Sequence, residues 1–289
     1  MSDSPAGRVA RSTVCPNGET VRSAPMRTFL STADGVLIDS VYDPRSVVYE
    51  TGALRDGEND TSGPPGDHLA FVVSHGFTGA ADRPHVRRVA EALRRYGSVV
   101  TFSFRGHGAS GGRSTVGDRE VLDLAAAVRW ARELGHARVV SVGFSMGGSV
   151  ALRHAALHPG DADAVVAVSA PARWYYRGTA PMRRLHWLVM RPEGRLVGRY
   201  GFGTRIHHQE WDPVPLSPVE AAARIAPTPL LVVHGDRDGY FPLDHPRSLA
   251  EAAAGHAELW LESGMGHAEH AVSDGLLGRI GDWSVRRAG

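Results

Sequence analysis

Residues 138–157 read RVVSVGFSMGGSVALRHAAL. An apolar run suited to a buried strand passes straight into a helical segment, and only glycines and one serine stand between them. The chain must therefore turn sharply at Ser145, which holds the serine hydroxyl out from the joint. The glycines suit such a turn, because side chains flanking it would meet neighbouring backbone. The start of the helix adds free N–H groups and the positive end of a helix dipole beside that hydroxyl.

Strand and helix signals alternate around this joint. Residues 27–42 read as two strands about a turn at Asp34 and Gly35. Residues 68–74 form a short apolar run. A helix opened by Pro84 follows, with Val86, Val89, Ala90 and Leu93 at helical spacing, and Gly97 closes it. Then come a strand at 98–104, a helix at 118–134, a strand at 138–143, a helix at 145–157 and a strand at 164–169. The pattern lapses from 171 to about 226. It resumes with a strand at 229–234, a helix at about 245–254, a strand at 257–261 and one last helix at about 269–286. Such alternation predicts a parallel sheet covered on both faces. Residues 1–26 lack periodicity and read as a loose tail, and residues 52–67 read as a polar loop.

Composition removes several chemistries. All 32 basic residues are arginines, so a lysine Schiff base, a Ser-Lys pair and a phosphate-loop lysine are excluded. Cys15 is the single cysteine, which rules out an internal disulfide and any multi-cysteine zinc site. The net charge of +1 argues against a dedicated nucleic-acid binder. No apolar run reaches membrane-span length and the first twenty residues lack a secretory apolar core, so a cytoplasmic protein without membrane insertion is expected.

The motif Gly143-Phe144-Ser145-Met146-Gly147, placed between strand and helix, resembles the nucleophile turn of the α/β-hydrolase family, and the likeness runs from about residue 27 to the C-terminus. It implies a mostly parallel eight-stranded sheet with helices on both faces and a small helical cap. The implied domain is 27–289, with the cap inserted at about 172–226. It also implies the chain order nucleophile, acid, histidine. His75-Gly76-Phe77-Thr78-Gly79 resembles the family's HGxxG segment, and by that resemblance the backbone N–H groups of Phe77 and Met146 are the oxyanion donors, with His75 structural. Residues 230–242, LLVVHGDRDGYFP, resemble the acid segment. Asp238 is the acid by that resemblance, Asp236 steadies the turn, and Asp244 is a third candidate or a helix cap. Of fifteen histidines, His267 occupies the family's place for the general base, with His270 as its near competitor. Residues 104–110, FRGHGAS, resemble a family landmark, but Ser103 stands where many relatives carry an acid two positions before Arg105. An ion pair of Arg105 with that position is therefore in doubt.

Between 173 and 205 there are eight arginines and one acid, Glu193. One reading is an amphipathic lid whose arginines face solvent. The other is a basic lid that draws an anionic or carrier-bound acyl substrate. His207 and His208 lack a ligand-spaced partner, so no metal is expected, and the implied reaction needs no cofactor. The expectation is a serine hydrolase of esters or thioesters acting through Ser145, His267 and Asp238 on a small acyl substrate. A peptidase or amidase, a carbon–carbon bond hydrolase and a non-catalytic binding member of the fold are the alternatives. Nothing in the sequence addresses oligomeric state.

Overall fold

The computed structural model describes residues 20–21, 24–48 and 68–288. Most of the expected tail and the polar loop at 52–67 lie outside the described residues. Within the tail, Thr20–Val21 pairs antiparallel with Val47–Val48 in a two-residue ladder.

Eight strands form one sheet: β1 (Met26–Ser31), β2 (Leu37–Asp43), β3 (Leu69–Ser74), β4 (Ser98–Phe102), β5 (Arg138–Phe144), β6 (Ala164–Val168), β7 (Leu230–Gly235) and β8 (Ala257–Glu262). Their spatial order is β8-β7-β6-β5-β3-β4-β2-β1. The β1–β2 and β2–β4 pairs are antiparallel and the others parallel. This is the parallel arrangement expected from the alternation, in the mostly parallel eight-stranded form that the family resemblance implied. Its central strands are buried on both faces, which explains why they read as continuous apolar runs.

Side chains leave each strand to alternate faces, and the core divides accordingly. On β3, Ala70 and Val72 pack on one face, while Leu69, Phe71 and Val73 pack on the other. The first face carries α2 (Glu120–Glu133), α3 (Met146–Leu157) and α7 (Asp244–Ala252). The second carries α1 (Pro84–Leu93) and α9 (Asp274–Arg287), through Val89, Leu93, Leu277, Ile280 and Trp283. Each large aliphatic or aromatic side chain fully buried here contributes about 1.5–3 kcal/mol.

Between β6 and β7 lie α4 (Ala180–Met190), α5 (Pro192–Gly201) and α6 (Pro218–Ala222). The expected insertion ran to about 226. Its last part is not a separate layer, because Ala221, Ala222 and Ile225 belong to the main core and α6 packs on α3. The expected final helix also divides. A short α8 (Ala268–Ala271) ends at Val272, whose backbone is extended, and Ser273 caps α9 by accepting the Leu276 N–H at 3.2 Å. The Arg88 guanidinium answers the freed carbonyl of Val272 at 2.6 Å, which steadies the break. Among the described residues no helix is long and apolar enough to cross a membrane.

Candidate active site

Ser145 sits between β5 and α3 with φ 51°, a left-handed conformation unusual for a residue with a side chain. Its N–H donates to the Val168 carbonyl at 2.8 Å, which anchors the turn to β6. The flanking glycines are required by close approach. A Cβ on Gly143 would lie 2.2 Å from the Gly147 carbonyl oxygen, and one on Gly147 would lie 2.3 Å from that of Ser74. Strand, turn and helix are therefore pressed together with only hydrogen atoms between them.

Residues far apart in the chain converge on this turn. His267 Nε2 is 2.9 Å from Ser145 Oγ, and His267 Nδ1 is 2.7 Å from Asp238 Oδ2. An ionised carboxylate only accepts, so the Nδ1 proton is held toward Asp238 and Nε2 is left to accept from the serine hydroxyl. The Asp238 side chain has no exposed surface. Burial alone would raise its pKa, but the hydrogen bond and charge of His267 and the N–H groups of Phe241 and Tyr240 outweigh burial and hold the carboxyl below its ordinary value. Tyr240 stacks on the His267 ring at 4.2 Å between centroids, and Phe241 meets it edge-on.

The competing residues have other occupations. Asp236 accepts the Gly264 N–H at 2.7 Å and so ties the histidine loop to the end of β7, the turn role expected of it. Asp244 lies in the first turn of α7 and pairs with Arg173; it is not the cap of that helix. His270 lies on α8 with its ring against His85. His207 and His208 stack on one another, and no group of three ligand-bearing residues that could hold a metal includes them among the described residues.

Beside Ser145 runs the 75–79 loop. His75 is buried, and burial pushes its pKa down to about 3, with the neighbouring His107 adding to the effect. Its Nδ1–H donates to the Gly76 carbonyl at 2.7 Å and its Nε2 accepts the Phe104 N–H at 3.1 Å. This neutral ring is a brace for the loop. Phe77 and Met146 line the same cavity as Ser145. That cavity encloses about 970 Å³ including its open mouth. Its walls are chiefly apolar and aromatic. Trp174, Tyr176, Trp211 and Phe241 contribute on one side, and Leu185, Val189 and Met190 come from α4.

Two residues escaped the sequence reading. Glu269 is only 3% exposed, and its Oε1 accepts the Gly76 N–H at 3.0 Å, so a carboxylate stands directly behind the 75–79 loop. Arg105 does form ion pairs, with acids that do not come from position 103. Its partners are Asp34, in the β1–β2 turn, at 2.7 Å and Asp123, on α2, at 2.8 Å. The acids came from other elements, so local spacing could not reveal them, while Ser103 instead accepts the Ala81 N–H. Several arginines of the 173–205 segment are also engaged. Arg173 pairs with Asp244, Arg183 and Arg195 donate to backbone carbonyls, and Arg205 donates to the Ser110 carbonyl.

Comparison with known proteins agrees with this architecture. A family model described as α/β hydrolase fold matches residues 70–194. A monoacylglycerol lipase of Mycolicibacterium smegmatis is 28% identical over 219 residues, covering 63% of this chain and 75% of that protein. The esterase Pf2001 of Pyrococcus furiosus superposes with a TM-score of 0.67 at 23% identity, over 92% of this chain and 93% of its own. The α/β hydrolase GrgF of a Penicillium species does so with a TM-score of 0.67 at 18% identity, over 92% and 99%. With the strand order, the serine turn and the family match in agreement, the chain has the α/β-hydrolase fold and is similar to esterases and lipases built on it.

Proposed function

We propose that this hydrolase cleaves carboxylic esters through an acyl-enzyme on Ser145. The observation that carries the reading is the chain of contacts Ser145–His267–Asp238, at 2.9 and 2.7 Å, opening on an apolar cavity. His267 Nε2 takes the hydroxyl proton as Ser145 Oγ attacks the ester carbonyl carbon. Asp238 keeps the imidazole in the productive tautomer and stabilises the imidazolium. The carbonyl oxygen becomes an oxyanion, received by the backbone N–H groups of Phe77 and Met146. Met146 opens α3, so the helix terminus also favours negative charge there. Loss of one such donor typically costs about 3–4 kcal/mol of transition-state stabilisation. The carbon–oxygen bond to the alcohol then breaks, and His267 returns the proton to the leaving oxygen. A water molecule gives its proton to His267, attacks the acyl carbon, and releases the acid with Ser145 restored.

The apolar and aromatic walls suit an uncharged acyl chain rather than an anionic one. Kinetics on p-nitrophenyl esters of increasing acyl length, with Ser145→Ala in parallel, provide the test. The expected result is hydrolysis that falls at least about 10⁴-fold in the variant without loss of folded structure. Undiminished hydrolysis by the variant would overturn the assignment of the nucleophile.

A further inference from the structure

Outside the catalytic cavity, α1 and α8 bring three ligand-bearing side chains together. His85, Glu269 and His270 each offer one donor atom, and these atoms all lie within 4.8 Å of one another. We propose that they form a binding site for a transition-metal dication of the zinc type, independent of the hydrolytic reading above.

The carboxylate is the anchor. Glu269 is almost wholly buried, and of its two oxygens only Oε1 has a hydrogen-bond partner, the Gly76 N–H. Oε2 is buried with none. An unanswered carboxylate oxygen in such a place is costly, and a cation supplies what the protein does not. His85 does not supply it: its Nε2 stands 3.9 Å from Oε1, beyond hydrogen-bond reach. The His85 and His270 rings lie 3.8 Å apart between centroids, and neither donates or accepts a hydrogen bond among the described residues. Both rings are therefore free to turn a nitrogen toward a metal.

The donor set selects the ion. Two imidazole nitrogens and one carboxylate oxygen suit zinc and its neighbours, whereas magnesium and calcium prefer all-oxygen sites. Metal–ligand bonds of about 2.0–2.2 Å require the three atoms to draw somewhat closer, leaving a fourth position for water. Side-chain rotation at the exposed His270 allows this, and that side is also the entry path. Arg83 is one nearby like charge and Arg88 is another. Arg88 is already engaged by Asp274 at 2.6 Å and by the carbonyls of Glu269 and Val272. A bound ion would tie α1 to the segment that begins at His267, and so would stiffen the histidine loop.

Zinc titration of the full chain by calorimetry, with thermal unfolding followed in parallel, tests the proposal. The expected result is one zinc per chain and a melting temperature raised by several degrees, reversed by EDTA. Cobalt in place of zinc should give the visible absorption of a tetrahedral site. His85→Ala and His270→Ala should each weaken zinc binding at least about tenfold, since loss of even an indirect partner of a ligand commonly costs that much. His207→Ala with His208→Ala should leave it unchanged. Absence of zinc binding would overturn the site, as would binding that survives both the His85 and His270 substitutions or that vanishes with the 207–208 pair.

Discussion

The turn around Ser145 and the helix α4 border the same cavity, and α5 packs on α4, yet turn and helix pair are built on opposite terms. Phe144 and Met146 are 1% and 6% exposed, and the neighbouring glycines touch backbone on every side. On α4 and α5, Trp187, Leu196 and Tyr200 are 47%, 57% and 77% exposed. The first region is over-determined by packing, so it can hold a serine at a strained φ and keep it there. The second is attached through few buried side chains, chiefly Met182, Leu188 and the buried faces of Gly194 and Gly198. Packing is thus concentrated around the Ser145 hydroxyl, and the outer faces of α4 and α5 are left exposed.

This contrast can be broken by substitution. The largest expected effect is Asp238→Asn, which leaves the shape but removes the charge that fixes the His267 tautomer; kcat should fall about 10⁴-fold. Asp236→Asn should fall far less, because Asp236 holds only the Gly264 N–H. Equal losses in steady-state kinetics would mean that the loop position, and not the charge, is what matters.

Gly147→Ala should be the next largest. Its Cβ would sit 2.3 Å from the Ser74 carbonyl oxygen, a contact with backbone that cannot rotate away. Denaturant unfolding should show a loss of about 3 kcal/mol or more, or no folded protein. On the exposed face of α5, Leu196→Ala should change stability by no more than about 0.5 kcal/mol. A large loss there would show that α5 is held more firmly than its exposure indicates.

Acid should separate the regions as well. Burial pushes His75 and His154 down to about 3 and His245 to about 4. A histidine with a lowered folded pKa binds its proton more readily when unfolded. Its contribution to stability is therefore complete above about pH 6.5, the ordinary value, and is lost as the pH falls toward 4 and below. His245 Nδ1 accepts the Ala172 N–H at 2.9 Å, where the chain leaves the sheet for α4. Thermal unfolding between pH 8 and pH 4 should show melting temperature falling with acidity, and His245→Asn should flatten part of that slope. A melting temperature insensitive to pH in this window would contradict the burial of these neutral rings. The smallest expected effect is Val189→Phe on α4, which should shorten the preferred acyl chain in the ester series with little change in stability; an unchanged preference would remove α4 from the acyl wall.

Much of the site was legible because its parts are local. A strand entering a helix through GFSMG makes a sharp turn wherever it is placed, and HGF and GDRD each follow an apolar strand of the same kind. The missed features are those whose partners come from elsewhere in the chain. Arg105 is paired by acids 71 and 18 positions away, and Glu269 accepts an N–H 193 positions away. The division of α8 from α9 is steadied by Arg88, 184 positions from the Val272 carbonyl it meets, and α6 joins the core only because α3 offers it a surface. None of these leaves a periodicity to read.

The amino-acid sequence by itself determined the alternation of strands and helices, the strained serine turn and the chemistry open to a chain without lysine. Apolar periodicity, glycine spacing and side-chain type are properties of short segments, and short segments carry them regardless of context. Only the tertiary structure decided at what distance His267 meets Ser145, how the 173–205 segment borders the cavity and where a buried carboxylate is left half satisfied. Ser145 and His267 are 122 residues apart, and their 2.9 Å contact exists only because the order of the strands brings the ends of β5, β7 and β8 to one edge of the sheet.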